Sequence, residues 1–471
     1  MHSFVRAFLF LGLLAALVSA APRSIQKRSF KVERVKNVNF KGHDGPKELL
    51  KAYQKYSMPV PASLLDAIRN GNKPAAKTES VETKGDITIK VTGGRGRKAN
   101  GATKHKGGKK GGKGTGAGTG TSNSTQPATG NSGATTGTGN DTAAAGVGLV
   151  TATPESGDVE YLAPVQIGGQ TLNLDFDSGS SDLWVFNTQL GAKSTSGHQV
   201  FDPTQSSTFK MINGASFSIS YGDGSGAAGN VGTDTVVIGG ATVTSQAIEL
   251  ATAVSQSFVQ DTANNGLVGL AFSKLNTVKP QQQKTFFDNV MPSLTEPVFT
   301  ADLRKNAVGA YEFGRIDTSK FTGDMAWIPV NTTQGFWQFA TSGFAVGTGQ
   351  QTTTATAQAI ADTGTTLMLV SQEVADGYYS QVDGAVNDAQ VGGFTVPCDA
   401  TLPDLVVDVA GIYQATIKGD DIVFAQVQGN TCFGGVQGTT SSLQIWGDIF
   451  FKSQFVAFNG GNNTLGMAQH I

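Results

Sequence analysis

The 471-residue chain reads as an all-β protein of two lobes with a cleft between them, preceded by a basic leader. Three observations carry that reading. From about residue 147, short β-prone runs such as "TLNLDFD", "SFSISYG", "TDTVVIGG" and "IVFAQV" alternate with Gly, Asn and Asp turns. Charged residues make up only 15% and Gly counts 61, a turn-rich balance foreign to helical bundles. One short pattern then occurs twice, 185 positions apart, as two related half-sites on two lobes would require.

Residues 1–20 read as a secretory signal. Arg6 precedes the apolar run "AFLFLGLLAALVSA", and Val18, Ser19 and Ala20 are small enough for cleavage near Ala20. The run falls short of the ~20 apolar residues a membrane span needs, and the C-terminal "NTLGMAQHI" carries no hydrophobic tail. A secreted, extracellular protein with no membrane attachment is expected. The only cysteines, Cys398 and Cys432, are expected to pair in an oxidising compartment. That bridge would close a loop of about 35 residues, worth about 3–4 kcal/mol in the chain-entropy view. Two cysteines and five scattered histidines leave no metal-ligand cluster, so no metal and no cofactor are expected.

Residues 21–92 form the next segment, with a dibasic Lys27-Arg28 and an amphipathic helical pattern in "GPKELLKAYQKYS" that puts Leu49, Leu50 and Tyr53 on one side. Residues 93–142 are Gly/Lys-rich, then Gly/Thr/Ser-rich, and read as a flexible linker that is removed. The stretch from Gly107 to Lys113 approaches a phosphate loop but has Gly114 where Ser or Thr is needed, and no strand precedes it. Charge divides along the same line. Up to residue 142 there are 24 Lys/Arg against 8 Asp/Glu, a net +16; beyond it there are 11 against 28, a net −17. Such halves attract at neutral pH and part as carboxylates protonate, which suits an intramolecular inhibitor released by acid. The rival reading is a basic tail that binds wall polymers or nucleic acid. Asn123, Asn140, Asn331 and Asn462 stand in glycosylation sequons.

The body divides into an N-terminal lobe, 143–330, and a C-terminal lobe, 331–471. In the first, "DVEYLAPVQIGGQTLNLDFD" reads as a hairpin turning at Gly168-Gly169. Helical signals are short: "KTFFDNVM", and "SQEVADGYYSQV" behind an N-cap at Ser371. The repeated pattern is "LDFDSGSSDLWVF" around Asp177 and "AIADTGTTLMLV" around Asp362. In each, an Asp ends an apolar run and is followed by hydroxyl, Gly, hydroxyl. A carboxylate there is costly without donors; the hydroxyls and the close-approaching backbone of Gly supply them. A lone Asp before Ser-Gly is ordinarily a turn, and the duplication is what points to chemistry. Two carboxylates meeting between lobes would share one proton. The ionised one can take a proton from water while the other protonates a peptide carbonyl, with no Ser or Cys nucleophile. His198 and His470 are the only histidines beyond residue 142 and no Gly-x-Ser-x-Gly turn occurs, so a Ser-His-Asp hydrolase has no support.

"FDSGSSDLW" and "ADTGTTL" resemble the two active-site motifs of pepsin-like aspartic proteases, most closely the secreted fungal branch. Three further stretches fall in that family's order. "SISYGDGS" (218–225) resembles the flap, and "NGLVGLAF" and "LQIWGDIFFKSQFVAFN" resemble the strands behind each catalytic loop. The resemblance implies a bilobal double β-barrel and an acid endopeptidase made as a zymogen. Asp177 and Asp362 would be its catalytic dyad, supported by Ser178, Gly179, Ser180, Thr363, Gly364 and Thr365. Tyr221, Gly222 and Asp223 would form the flap tip, with the Tyr221 hydroxyl near Trp184, and Cys398–Cys432 would match the C-lobe disulfide. Ser178 departs from the usual Thr, keeping the hydroxyl and losing a methyl. "LLKAYQKYSMPVP" resembles a pro-segment end, in which Lys55 pairs with the dyad and Tyr56 fills a subsite. Asp223 is either a plain turn residue or a selector of substrate Lys beside the usual large apolar side chains. Phe286 and Phe287 are expected in the core. Protein and peptide substrates, the protein's own pro-segment and a monomeric state are the expected partners and assembly. The alternative is a pepsin-like fold turned into a non-catalytic binding or inhibitor protein; such relatives lose one Asp or a neighbouring hydroxyl-Gly, and both are kept here.

Overall fold

The structure, a computed structural model, describes residues 29–33, 44–71, 147–150, 161–221, 225–307 and 309–471. The expected signal segment, Lys27-Arg28, the linker at 93–142, the sequons at Asn123 and Asn140, and Gly222 and Asp223 of the flap lie outside these residues.

The protein is mostly β, with a few short helices, in the bilobal pepsin arrangement. The N-terminal lobe is a seven-stranded sheet. Its order is Leu162–Ile167, Gln170–Asp177, Gly266–Gly269, Leu183–Val185, Ala241–Val254, Gly226–Ile238 and Lys210–Ser220. Pairing of Leu162–Ile167 with Gly226–Ile238 closes it into a barrel. The expected hairpin turns at Gly168 and Gly169, whose φ values of +53° and +81° favour glycine. Along Gln170–Asp177 the period of two turns Leu172, Leu174 and Phe176 into the core, and this register delivers Asp177 to the strand end.

The C-terminal lobe repeats the plan. Its seven strands run Tyr413–Ile417, Leu405–Val409, Gln338–Val346, Thr352–Ala361, Leu443–Trp446, Met368–Ser371 and Val436–Thr439. A four-stranded sheet flanks them, and there Cys398 and Cys432 form the disulfide. A third sheet, also seven-stranded, takes strands from both sides of residue 330, including Val298–Asp302 and Gln454–Asn459. Its outer strands include Ser29–Glu33, antiparallel to Ala310–Phe313 and parallel to Val147–Val150. Phe286 and Phe287 are core residues.

Two leader helices matter for the site. Helix α1, Gly45–Lys55, is N-capped by Asp44, whose side chain accepts from Lys47 N, and has Glu48 in its first turn and Lys55 in its last, matching the helix dipole. Helix α2 spans Ala62–Gly71. Leu49, Ala52 and Tyr53 of α1, with Met58 and with Leu64 of α2, pack on Ile360, Leu367, Leu369, Phe433 and Ile445 of the C-terminal lobe. No helix among the described residues is long and apolar enough to cross a membrane.

Candidate active site

Asp177 and Asp362 come together from equivalent positions in the two lobes. Asp177 ends its strand beside Gly269 of the parallel strand Gly266–Gly269. Asp362 follows Thr352–Ala361, which runs parallel to Leu443–Trp446 in the same way. Both carboxylates are buried.

The residues after each Asp hold it symmetrically. Gly179 N donates to Asp177 Oδ1 at 2.7 Å and Ser180 Oγ to Oδ2 at 2.6 Å. Gly364 N donates to Asp362 Oδ1 at 3.1 Å, and the Thr365 hydroxyl donates to Oδ2. The loops also grip each other. Ser178 N donates to Thr363 Oγ1 (3.0 Å) and Thr363 N to Ser178 Oγ (2.9 Å). The Thr363 hydroxyl donates on to Phe176 O and the Ser178 hydroxyl to Ala361 O. Ser178 therefore makes every bond that Thr363 makes, and the missing methyl takes part in none. Glycine is required on both sides: a Cβ on Gly364 would lie 2.5 Å from Asp177 Cγ, and one on Gly179 2.5 Å from Asp362 Oδ1.

Lys55 at the end of α1 reaches this centre. Its Nζ lies 2.9 Å from Asp177 Oδ1 and 2.9 Å from Asp362 Oδ2, and it donates to Gly364 O at 3.2 Å. The Tyr56 hydroxyl donates to Asp362 Oδ2 at 2.5 Å, with its ring edge-on to Phe336. Burial pushes both carboxyls up, but the outcome differs. For Asp362 the Lys55 ammonium, the hydrogen bond shared with Asp177 and the Thr365 and Tyr56 hydroxyls outweigh burial and hold it down at about 2. For Asp177 burial and the neighbouring Asp362 prevail over Lys55, and it is raised. Lys55 is itself raised, because the two carboxylates outweigh its burial.

Tyr221 is buried at the end of the hairpin Lys210–Ser220 to Gly226–Ile238, and its hydroxyl accepts from Trp184 Nε1 at 2.9 Å. Three contacts were not anticipated from sequence. Phe258 packs edge-on to both Trp184 and Tyr221; "SQSFVQ" carries no motif that would have marked it. Thr366 Oγ1 donates to Glu48 Oε2 at 3.3 Å, and Tyr53 OH to Gly438 O at 2.8 Å. These tie α1 to the second motif and to the strand Val436–Thr439, and only Tyr53 on the apolar stripe hinted at them.

Among the described residues no group of His, Cys, Asp and Glu is placed to hold a metal ion. The arrangement can polarise a small molecule held between two carboxylates, one ionised and one protonated.

Comparison with known proteins bears on the same residues. The eukaryotic aspartyl protease family matches residues 160–470. A putative aspergillopepsin A-like aspartic endopeptidase of Aspergillus fumigatus is 44% identical over 480 residues, covering 99% of each chain, leader included. Penicillopepsin-1 of Penicillium rubens is 50% identical over 329 residues, covering 69% of this chain and 82% of its own. Aspergillopepsin-1 of Aspergillus flavus is 50% identical over 328 residues, covering 69% and 80%.

Proposed function

This chain belongs to the eukaryotic aspartyl protease family as an aspartic endopeptidase of the penicillopepsin and aspergillopepsin type, and from that premise we propose that Asp177 and Asp362 are its dyad, working in acid and blocked before activation by Lys55 and Tyr56. The observation that carries this is the single ammonium within 2.9 Å of both carboxylates. Lys55 Nζ lies within hydrogen-bond reach of both, where it would displace a water held between them.

Once the leader withdraws, the dyad holds one proton. The ionised carboxylate removes a proton from water as its oxygen adds to the peptide carbonyl carbon, while the protonated carboxyl gives its proton to the carbonyl oxygen. The tetrahedral diol then collapses: a proton passes to the amide nitrogen, the C–N bond breaks, and the dyad again holds one proton. Ser180 and Thr365 keep the outer oxygens oriented, and the Ser178–Thr363 cross-bonds keep the loops in register. Tyr221, tethered by Trp184, closes over the substrate with Gly222 and Asp223. Large apolar residues beside the scissile bond are the preferred substrates, with Lys admitted opposite Asp223. The signal segment directs the protein out of the cell, and it acts there as a monomer.

The test is to acidify the full chain to about pH 3–4, where carboxylates titrate, and follow its mass together with cleavage of denatured haemoglobin. Loss of the leader with pepstatin-sensitive cleavage, abolished in Asp177→Asn or Asp362→Asn, supports the reading. A folded, inactive protein would sink it and favour a non-catalytic binding role.

A further inference from the structure

A second carboxyl pair lies behind the first motif, away from the cleft. Asp182, the last residue of "DSGSSD", is fully buried, and so is Glu249 on the strand Ala241–Val254. Strand pairing sets Trp184 directly beside Glu249. The two carboxyls share one donor, Asn276 Nδ2, and each keeps a second buried oxygen that no described donor reaches, an arrangement that a proton held between them would satisfy. The rest of the pocket is built of neutral donors. Asn276 Nδ2 donates to Asp182 Oδ1 and Glu249 Oε1, 3.0 Å each, and to Ser181 O at 3.2 Å. Thr277 donates to Asp182 Oδ1 through N (2.9 Å) and Oγ1 (3.0 Å). Among the described residues Asp182 Oδ2 and Glu249 Oε2 are buried and receive no hydrogen bond.

We propose that Asp182 and Glu249 hold one proton between them and act as a positioning pair for the first catalytic loop, and that loss of this proton sets the alkaline limit of the enzyme. The link to the site is short. Asp182 O accepts from Gly269 N at 2.8 Å, Gly269 pairs with Asp177, and Trp184 holds the Tyr221 hydroxyl. Among the described residues the surrounding elements offer no counter-charge. Ala241–Val254 has no other charged residue. The flap hairpin brings Tyr221 and the catalytic loop brings Asp177. Lys274 donates to the carbonyls of Thr332 and Thr333, and Lys279 forms no ion pair among the described residues. Burial pushes Glu249 well above the usual carboxylate range, and Asp182 is raised as well. A carboxyl raised in the folded state contributes stability that is complete below its unfolded pKa and lost as pH rises through the folded one. The pair therefore weakens the fold from about pH 4 upward.

The inference rests on the proteolytic reading for its activity arm alone. The acid-treated full chain is assayed for peptide cleavage and for tryptophan fluorescence across about pH 3–8, the range of carboxyl and shifted-carboxyl titration. Glu249→Gln keeps a donor toward Asp182 and an acceptor for Asn276 but cannot ionise. Its alkaline midpoints of cleavage and fluorescence should both rise by about one pH unit or more. Asp182→Asn should shift them the same way. Unchanged midpoints in a folded variant overturn the proposal. So does failure of both variants to fold at pH 4, because both preserve the hydrogen bonds of the protonated pair. Absence of cleavage in the parent chain would count against the proteolytic reading, and the fluorescence midpoint would still decide the pair.

Discussion

Lys55 decides more than any other single side chain outside the two aspartates. Without it, two buried carboxylates face each other with no cation, and breaking such a pair costs about 3–5 kcal/mol. Lys55→Met should therefore weaken the grip of the leader and raise the pH at which it leaves by about one unit or more; intact mass against pH measures it, and an unchanged release pH would remove Lys55 from the inhibitory role. The direction of the acid response follows from the two aspartates. Asp362 is depressed, so its share of the leader's hold is present above the ordinary carboxylate range and lost only as pH falls through about 2. Asp177 is raised, so its contribution has the opposite sign, complete in acid and lost as pH rises. Acid thus undoes the bridge through Asp362. At Ser178 the hydroxyl carries the cross-loop bonds. Ser178→Thr should change stability by under about 1 kcal/mol, while Ser178→Ala leaves Thr363 N unpaired in the interior and should cost about 1–3 kcal/mol. Denaturant midpoints distinguish the two.

Elements show where sequence reading reaches and where it stops. The two Asp-hydroxyl-Gly motifs were legible because Gly179, Ser180, Gly364 and Thr365 lie within three residues of the carboxylates they hold. The hairpin at Gly168-Gly169, the N-cap at Ser371 and the α1 stripe were legible for the same local reason. The Asp182–Glu249 pair was not, since Glu249 interrupts an apolar strand and its partner lies across the sheet. Helix α2 has no capping hydroxyl or amide to announce it, and Ser29–Glu33 is a strand only because Ala310–Phe313 offers an open edge. The flap depends on one such long-range contact. Trp184→Phe retains the ring and deletes the donor to Tyr221. A buried hydrogen bond of about 0.5–1.5 kcal/mol corresponds to a fall in kcat/KM of about 2–10-fold. A larger fall confined to KM would place Trp184 against substrate directly.

At the scale of the whole molecule, the charge division of the sequence and the contacts of the structure assign the leader's hold to different forces. A leader of net +16 on a body of net −17 suggests long-range attraction. Yet Lys55 bridges both aspartates of the body, and that ammonium is buried. The leader pairs Lys47–Asp44 and Arg69–Asp66 are internal to it and exposed. The remaining grip combines apolar packing of Leu49, Ala52, Tyr53, Met58 and Leu64 on the C-terminal lobe with neutral contacts, the Tyr53 hydrogen bond to Gly438 O and the pairing of Ser29–Glu33 with Ala310–Phe313. Exposed charges are screened beyond about 10 Å at 0.1 M salt, whereas buried pairs and apolar contacts are not. Raising salt from about 20 mM to about 0.5 M should therefore move the release pH by less than about half a unit. Leu49→Ala, which deletes a buried side chain worth about 2–5 kcal/mol, should move it further than any salt concentration. If salt shifts release by more than a unit while Leu49→Ala does not, the basic tract rather than α1 holds the leader in place, and the charge division is the working part of the zymogen.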